Sequence, residues 1–343
     1  MKLETTGDIL ELMDVYVFSA AVGTAMELSL FWLLDEKPLP ASTISQSLNI
    51  PLNRCHIWLL ILCQLGLLEH NSGDFALTPF TREAVLDAQS QNTWAFQARE
   101  DRETALFVQD LALHISNPRS IREVMNLTQT DYFQKIQEDP DYAARFTRKL
   151  CEIHGSLATK IANMLDLRGV KSLLDLGGGS GVVSFALLRK KHDLTSVVVD
   201  IYNVCQAGRE IAKENKLENR ISYIALDFLQ NDIPTGFDMV MHCDLGLLSE
   251  VLFRKVYDAL NPGGRFVIVD KFAPSRTAPP PSRLSSAFLD SLVNPSQIID
   301  FTTEEVVQAQ LEQVGFRESH IKSVPHEDDL PWNMDWTILE TKK

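Results

Sequence analysis

Apolar residues recur near the start of the chain at the three- and four-residue spacing of one helix face: Ile9, Leu12, Met13, Tyr16, Val17, Ala20 and Ala21. The spacing predicts a helical stretch from Asp8 to Leu34, and its end, Leu28 to Leu34, is apolar on almost every side and needs a partner. Ser42 to Leu48 and Arg54 to Leu65 carry two further helical patterns, separated by the break Asn49-Ile-Pro51. Gly66 to Leu77 then reads as a hairpin with Asn71-Ser-Gly73 at its turn. Helix, turn, helix and a two-stranded wing are the order of a winged helix.

Trp94 to Leu165 keeps a helical rhythm without Gly-rich turns, with Pro118 and Pro140 as punctuation. Asp139-Pro140 opens a strong helix whose apolar stripe is Tyr142, Phe146, Leu150, Ile153 and Leu157. Beyond it the period changes to short apolar runs bounded by turns. A strand runs from Ser172 through Asp175 into Gly-Gly-Gly-Ser-Gly181, followed by a helix from Val182. Further strands are predicted at Thr195 to Val199, ending on Asp200, at Ile221 to Ala225, at Phe237 to Met241 and at Arg265 to Asp270. Strands alternating with helices, such as Val251 to Leu260 before the turn Asn261-Pro-Gly-Gly264, indicate an α/β fold. Pro274 to Pro281 reads as a rigid loop, and Leu284 to Val293 as an apolar helix before Asn294-Pro-Ser296. Val306 to Gly315 is a helix with a glycine stop, and Ile321 to Val324 and Thr337 to Glu340 suit an antiparallel end pair. The expected division is residues 1–90, a linker and substrate cap over 91–165, and the α/β domain over 166–343.

Composition narrows the function. A chain of 343 residues with 45% apolar content can build two cores. Acids outnumber bases 46 to 32, for a net charge of −14, which opposes non-specific binding to nucleic acid. The segment Asn53 to Gln64, where a recognition helix would lie, offers only Arg54 and His56 to base edges. Five scattered cysteines form no Cys-x-x-Cys pair and read as reduced thiols, with no metal site. No apolar run approaches membrane-spanning length, and Met1-Lys2-Leu3-Glu4 lacks a signal peptide's regions, so a cytoplasmic protein without a membrane partner is expected.

The glycine-dense turn carries the chemistry. A strand, a turn nearly free of side chains and a helix N-terminus let a ligand approach the backbone and aim N–H groups at its polar end. A pyrophosphate fingerprint would read Gly-x-Gly-x-x-Gly, and a phosphate loop would set Lys beside Ser or Thr. Here Gly177, Gly179 and Gly181 follow Asp175 as Gly-x-Gly-x-Gly, and Asp200 ends the next strand, where an acid can accept both hydroxyls of a ribose. A nucleoside cofactor is predicted.

Asp175-Leu-Gly-Gly-Gly-Ser-Gly181 with Asp200 resembles motif I and the second acidic position of the class I S-adenosylmethionine-dependent methyltransferases. Asp227-Phe228 stands where that family reads adenine, and Asn261-Pro-Gly-Gly264 matches the turn before its fifth strand. The N-terminal pattern, with Ala41 to Ile50 and Phe75-Ala-Leu-Thr-Pro79, resembles the dimerisation domain of the small-molecule O-methyltransferases, both plant caffeate-type and bacterial antibiotic-tailoring. The resemblance covers nearly the whole chain. It implies a Rossmann-like, seven-stranded, doubly wound sheet behind a winged-helix dimerisation domain, and a homodimer formed through that domain. It also implies S-adenosyl-L-methionine as cofactor and O-methylation of an aromatic or polyketide-like secondary metabolite. Asp175, Gly177, Gly179 and Gly181 would hold the methionine end, Asp200 the ribose, and Asp227 with Phe228 the adenine, with Cys243 also at the cofactor. Phe146 and Leu150 would face the acceptor, although a core stripe accounts for them equally, and His154 would lie near the cofactor. Phe288, Leu289 and Leu292 would line the substrate side with an apolar wall.

Methyl transfer from a sulfonium requires alignment, exclusion of water and, for a hydroxyl acceptor, a base. The family places a catalytic His after strand four, followed by Asp-Trp; this chain has Met241-His-Cys-Asp-Leu-Gly-Leu-Leu-Ser-Glu250. Counting back from Ala259-Leu260 sets His242 on the catalytic position. Counting forward from Phe237-Asp238 keeps His242 inside the strand and moves that position near Leu247; this register preserves the sheet pattern and leaves the usual base missing. Asp270 and Asp300 stand where the family keeps two Glu residues that orient the His, and either is a candidate base, while Asp300 reads equally as a helix N-cap. Two alternatives stay open: a relative that uses the bound sulfonium's charge without transferring its methyl group, and a cofactor-sensing DNA-binding regulator.

Overall fold

Thr5 and Asp8 begin the first helix by capping each other. The Thr5 hydroxyl accepts the Asp8 N–H at 3.2 Å and the Asp8 carboxylate accepts the Thr5 N–H at 2.7 Å. In the computed structural model, which describes residues 3–125, 132–294, 300–325 and 336–343, α1 spans Thr6–Glu27. It does not continue to Leu34 as the periodicity predicts. Ser29 takes a left-handed conformation (φ 61°), and α2 (Leu30–Asp35) restarts after it with Leu30, Phe31 and Leu34 turned into the core. Helix α1 is also long and apolar enough to cross a membrane by length and composition, with 17% of its most apolar window buried. This corrects the expectation that no run approaches that length; charged residues stop at Asp14 and resume only at Glu27.

The chain divides into two compact units, Met1–Asp110 and Leu111–Lys343. In the first, β1 (Leu39–Pro40), α3 (Ala41–Ser47), α4 (Leu52–Gln64), β2 (Leu68–Asn71) and β3 (Asp74–Leu77) follow α2, and the strands pair antiparallel in the order β1-β3-β2. Ser72 and Gly73, both at positive φ, make the two-residue connection that suits the strands' twist. Phe31, Ile44, Leu59 and Phe75 fill the core, and the Trp58 indole N–H ties α4 to the Ala21 carbonyl at 3.0 Å. The unit closes with α5 (Pro79–Thr81), a π-helical turn at Arg82–Leu86 and α6 (Gln91–Gln109).

The second unit opens with α7 (Leu111–His114), α8 (Ile121–Val124), α9 (Tyr132–Glu138), α10 (Pro140–Ile153) and α11 (Gly155–Met164). Asp139 caps α10 by accepting the Tyr142 N–H at 2.9 Å. Because α10 stops at Ile153, the predicted five-residue stripe is split: Leu157 belongs to α11, Ile153 is exposed, and the buried face of α10 is Tyr142, Ala143, Thr147 and Lys149.

The sheet follows as β4 (Ser172–Leu176), α12 (Val182–Lys190), β5 (Thr195–Asp200), α13 (Tyr202–Glu214), β6 (Ile221–Ala225), β7 (Phe237–Cys243), α14 (Glu250–Ala259) and β8 (Leu260–Lys271). Then come α15 (Leu284–Val293), α16 (Glu304–Val314), β9 (Arg317–Ser323) and β10 (Trp336–Lys342). Of the predicted segment Asn294-Pro-Ser296, the last two residues lie outside the described ones. Strand order is β6-β5-β4-β7-β8-β10-β9, parallel from β6 to β8 and antiparallel at β10 and β9. Helices cover both faces, so the strands are apolar on both. Leu173, Val198, Met239 and Val267 pack toward α11 and α12, whereas Leu174, Val199, Val240 and Ile268 pack toward α14 and α16. This is a Rossmann-like, doubly wound α/β sheet of seven strands. Strand order reverses between β4 and β7, and a doubly wound sheet opens a crevice at the carboxyl ends of strands where that happens.

Candidate functional site

Strand β4 carries Asp175 to the foot of the glycine turn, where it is only 1% exposed. The Ser184 hydroxyl donates to its Oδ2 at 2.6 Å, Ser184 in turn shares a 2.8 Å bond with Ser196, and Asp175 Oδ1 has no hydrogen-bond partner among the described residues. Burial pushes the carboxyl up to about 7; the Ser184 bond opposes that shift and the neighbouring Asp200 adds to it. Gly177, Gly179 and Gly181 all hold left-handed φ, and a Cβ at Gly178 would lie 2.5 Å from the Asp175 carboxyl carbon. The bare backbone is thus wrapped closely around the acid.

Asp200, at the end of β5, closes the other side. Its Oδ2 accepts the Gly179 N–H at 2.9 Å and its Oδ1 the Ile201 N–H at 2.7 Å, while burial raises its pKa against those bonds. Asp175, the three glycines and Asp200 therefore meet around one turn. Two supports were not visible in the sequence. The Tyr223 hydroxyl of β6 donates to the Ser180 carbonyl at 2.7 Å, and the Cys151 thiol of α10 lies within hydrogen-bonding reach of the Ser180 side chain.

At the carboxyl ends of β5 and β6, a cleft of about 430 Å³ is lined by Ile201, Tyr202, Asn203, Leu226 and Asp227. Asp227 is exposed, and its Oδ1 accepts the Leu229 N–H at 3.0 Å. Phe228 does not share the cleft. Its ring is buried in the core with Ile233, Phe237 and Phe253, so Phe228, predicted to contact adenine, does not line the cleft, whereas Leu226 and Tyr202 do.

Strand β7 runs two residues past Met241, so His242 is a strand residue. It is fully buried, its ring packs on Phe266 at 5.5 Å, and neither ring nitrogen has a hydrogen-bond partner among the described residues. Burial holds its pKa down at about 4 despite the attraction of Asp270. A neutral imidazole sealed in the sheet is not presented to an acceptor, which corrects the assignment of His242 as catalytic. The next residue, Cys243, faces the opposite layer; burial first, then Asp244, Asp175 and Asp270, keep its thiol protonated.

Asp244 follows the strand with a left-handed φ of 54°. Arg283, which the sequence reading missed, donates from Nη2 to Asp244 Oδ1 at 2.5 Å and to Asp270 Oδ1 at 2.9 Å. Asp270 is 1% exposed and also accepts the Lys271 N–H at 2.8 Å and the Gly246 N–H at 3.1 Å. Three donors occupy it, so it acts as an anchor for the loop and not as an open base. Asp300 is exposed and paired with Arg276 through two 2.7 Å bonds, which hold its carboxyl below the usual range, and Thr303, not Asp300, is the N-cap of α16.

Between these acids lies a cleft of about 370 Å³, bordered by Asp270, Asp300, Arg283 at the N-cap of α15, and Ser286, Ala287 and Asp290 of that helix. The predicted wall residues do not form its apolar lining, which comes from Leu248, Pro279, Pro280 and Phe301 instead. Helical phase sets residues 283, 287 and 290 on one side, and Phe288, 40% exposed, on another. Phe288, Leu292, Phe146, Leu150 and His154 do not line this cleft. Phe146 stacks on Tyr142 at 6.0 Å with the Lys149 ammonium over its ring, and His154 Nε2 lies 3.6 Å from Asp244 Oδ2. Among the described residues, no group of three His, Cys, Asp or Glu is placed to hold a metal.

Comparison with known proteins agrees with this geometry. Residues 93–294 match the model of the O-methyltransferase domain family. The tetracenomycin polyketide synthesis 8-O-methyl transferase TcmO of Streptomyces glaucescens is 26% identical over 329 residues, covering 94% of this chain and 95% of its own. The bacteriochlorophyllide d C-20 methyltransferase of Chlorobaculum tepidum is 25% identical over 304 residues, 86% of each chain. The solved structure of PigF with SAH has the same fold, with a TM-score of 0.79 at 19% identity over 99% of this chain and 100% of that one. The chain belongs to the O-methyltransferase domain family.

Proposed function

We propose that this chain transfers a methyl group to a hydroxyl oxygen of an aromatic or polyketide-like small molecule, as a cytoplasmic homodimer of secondary metabolism. The observation that carries the donor site is the buried Asp175 Oδ1 beside the glycine turn, without a hydrogen-bond partner among the described residues: an ammonium group such as that of a methionine end supplies one. Asp200 is suited to the ribose hydroxyls, and the cleft with Leu226, Tyr202 and Asp227 to the adenine. When bound, S-adenosylmethionine supplies an electrophilic methyl group on a cationic sulfur. The protein's part is to hold that end rigid, exclude water and set the acceptor in line.

The oxygen acceptor is supported by the 8-O-methyl transferase that matches over most of both chains, while the C-20 methyltransferase shows that the same framework serves carbon. The family match across residues 93–294 supports methyl transfer over the two other functions raised by the sequence. The dimer is supported by α1, which leaves Ile9, Leu10, Met13 and Tyr16 exposed on the first unit.

Calorimetric titration with S-adenosylmethionine and S-adenosylhomocysteine tests the donor site, and both are expected to bind. Incubation with a panel of phenols and aromatic polyketides, followed by mass spectrometry and NMR, is expected to give S-adenosylhomocysteine and a methoxy product. Absence of binding overturns the donor site; a new C–CH3 or N–CH3 group overturns the oxygen assignment.

A further inference from the structure

An O-methyltransferase needs a place for the acceptor's proton, and neither His242, Asp270 nor Asp300 offers one. Among the described residues, His154 is an imidazole at the carboxyl ends of the strands that, unlike His242, is not sealed inside the sheet. His154 joins α10 to α11, its side chain 19% exposed and its ring edge-on to Trp336 at 6.1 Å. Cys151, one helical turn earlier, reaches Ser180 in the glycine turn, and His154 Nε2 lies 3.6 Å from Asp244 Oδ2 just beyond β7. The end of α10 thus spans β4 and β7, where strand order reverses.

Asp244 is itself fixed. Arg283 bridges it to the buried Asp270, and its left-handed backbone is a conformation a non-glycine residue keeps only when its surroundings hold it there.

Resting on the O-methyltransferase reading above, we infer that His154 is the general base of this enzyme, with Asp244 as the positioning residue that orients its ring and Arg283 and Asp270 as the clamp on Asp244. The ring nitrogen turned away from Asp244 takes the proton of the acceptor hydroxyl. The oxygen's freed electron pair forms the C–O bond to the methyl carbon, the pair of the breaking S–C bond stays on sulfur, and the proton passes from the imidazolium to water. Asp244 favours the protonated ring, while burial, Lys271 at the end of β8 and Lys149 on α10 oppose it; Arg283 stands behind Asp244. The balance holds His154 below its ordinary 6.5, so it is neutral and able to accept a proton at neutral pH.

The test uses the full-length chain and its variants His154→Ala, His154→Gln and Asp244→Asn, with cofactor affinity measured first by calorimetry. All three are expected to bind S-adenosylmethionine as the unaltered enzyme does; failure of the unaltered enzyme to bind it, or to methylate oxygen, overturns the preceding section and this inference with it, whereas a His154 variant with full kcat overturns this inference alone. His154→Ala is expected to lower kcat by about 10²- to 10⁴-fold, with partial rescue by added imidazole. In the unaltered enzyme kcat should fall as pH drops through a value below 6.5, and that limb should vanish in His154→Gln. By imidazole NMR of the cofactor-bound enzyme, Asp244→Asn should move the His154 titration to lower pH, a readout independent of turnover. If His154→Ala does not fold, His154→Gln and the NMR titration carry the test. A His154 variant with full kcat, or a titration unmoved by Asp244→Asn, overturns the inference.

Discussion

His242 shows what a single buried imidazole does to the molecule's response to acid. Its folded value of about 4 lies below the ordinary 6.5, so between those limits the unfolded chain takes up a proton that the folded chain refuses. Stability is therefore intact above pH 6.5 and declines as pH falls toward 4, by about 3 kcal/mol over the window. Urea unfolding at a series of pH values should show that decline, and His242→Leu should flatten it while leaving kcat intact, since neither ring nitrogen has a hydrogen-bond partner to lose among the described residues. Asp200→Ala should cost about 1.5 to 3 kcal/mol of cofactor binding, or about 10- to 150-fold in affinity by calorimetry. Unchanged affinity would remove Asp200 from the site. At this scale the sequence was most informative where chemistry is local: Asp175, its glycines and Asp200 lie on one turn and the next strand end. It was least informative for Phe228 and Phe288, whose direction depends on the phase of a turn or helix, and for Arg283, whose partners lie 13 and 39 residues away.

Among elements, β4, β5 and β6 were legible almost to the residue because alternating layers enforce continuous apolar runs with abrupt ends. The ends of β7 and β8 were not. Pairing with neighbours extends β7 to Cys243 and starts β8 at Leu260, with a register shift that absorbs Asn261 to Gly264. Helix breaks at Ser29 and His154 were also hidden, since neither is a glycine or a proline. Helix α10 depends on its cap: Asp139→Ala should lower stability by about 0.5 to 2 kcal/mol in thermal or urea unfolding. An unchanged midpoint would show that tertiary packing alone sets where α10 begins.

For the whole molecule, the order of strands and helices was readable because α/β alternation admits few topologies. What assembles with the first unit was not, since an apolar helix face looks the same whether it meets a second copy or a lipid. Under the homodimer proposed above, light scattering should report a dimer, and Met13→Glu combined with Tyr16→Glu should report a monomer that still unfolds cooperatively. A monomeric unaltered protein that partitions onto vesicles would instead give α1 a membrane role.

Under the donor site proposed above, with the Asp175 carboxyl raised to about 7, loading of the donor becomes a proton-releasing event. An arriving ammonium favours the carboxylate, so the site sheds hydrogen ions as it fills. Affinity should strengthen as pH rises toward 7 and level beyond it, and the heat of association should vary with the ionisation enthalpy of the buffer.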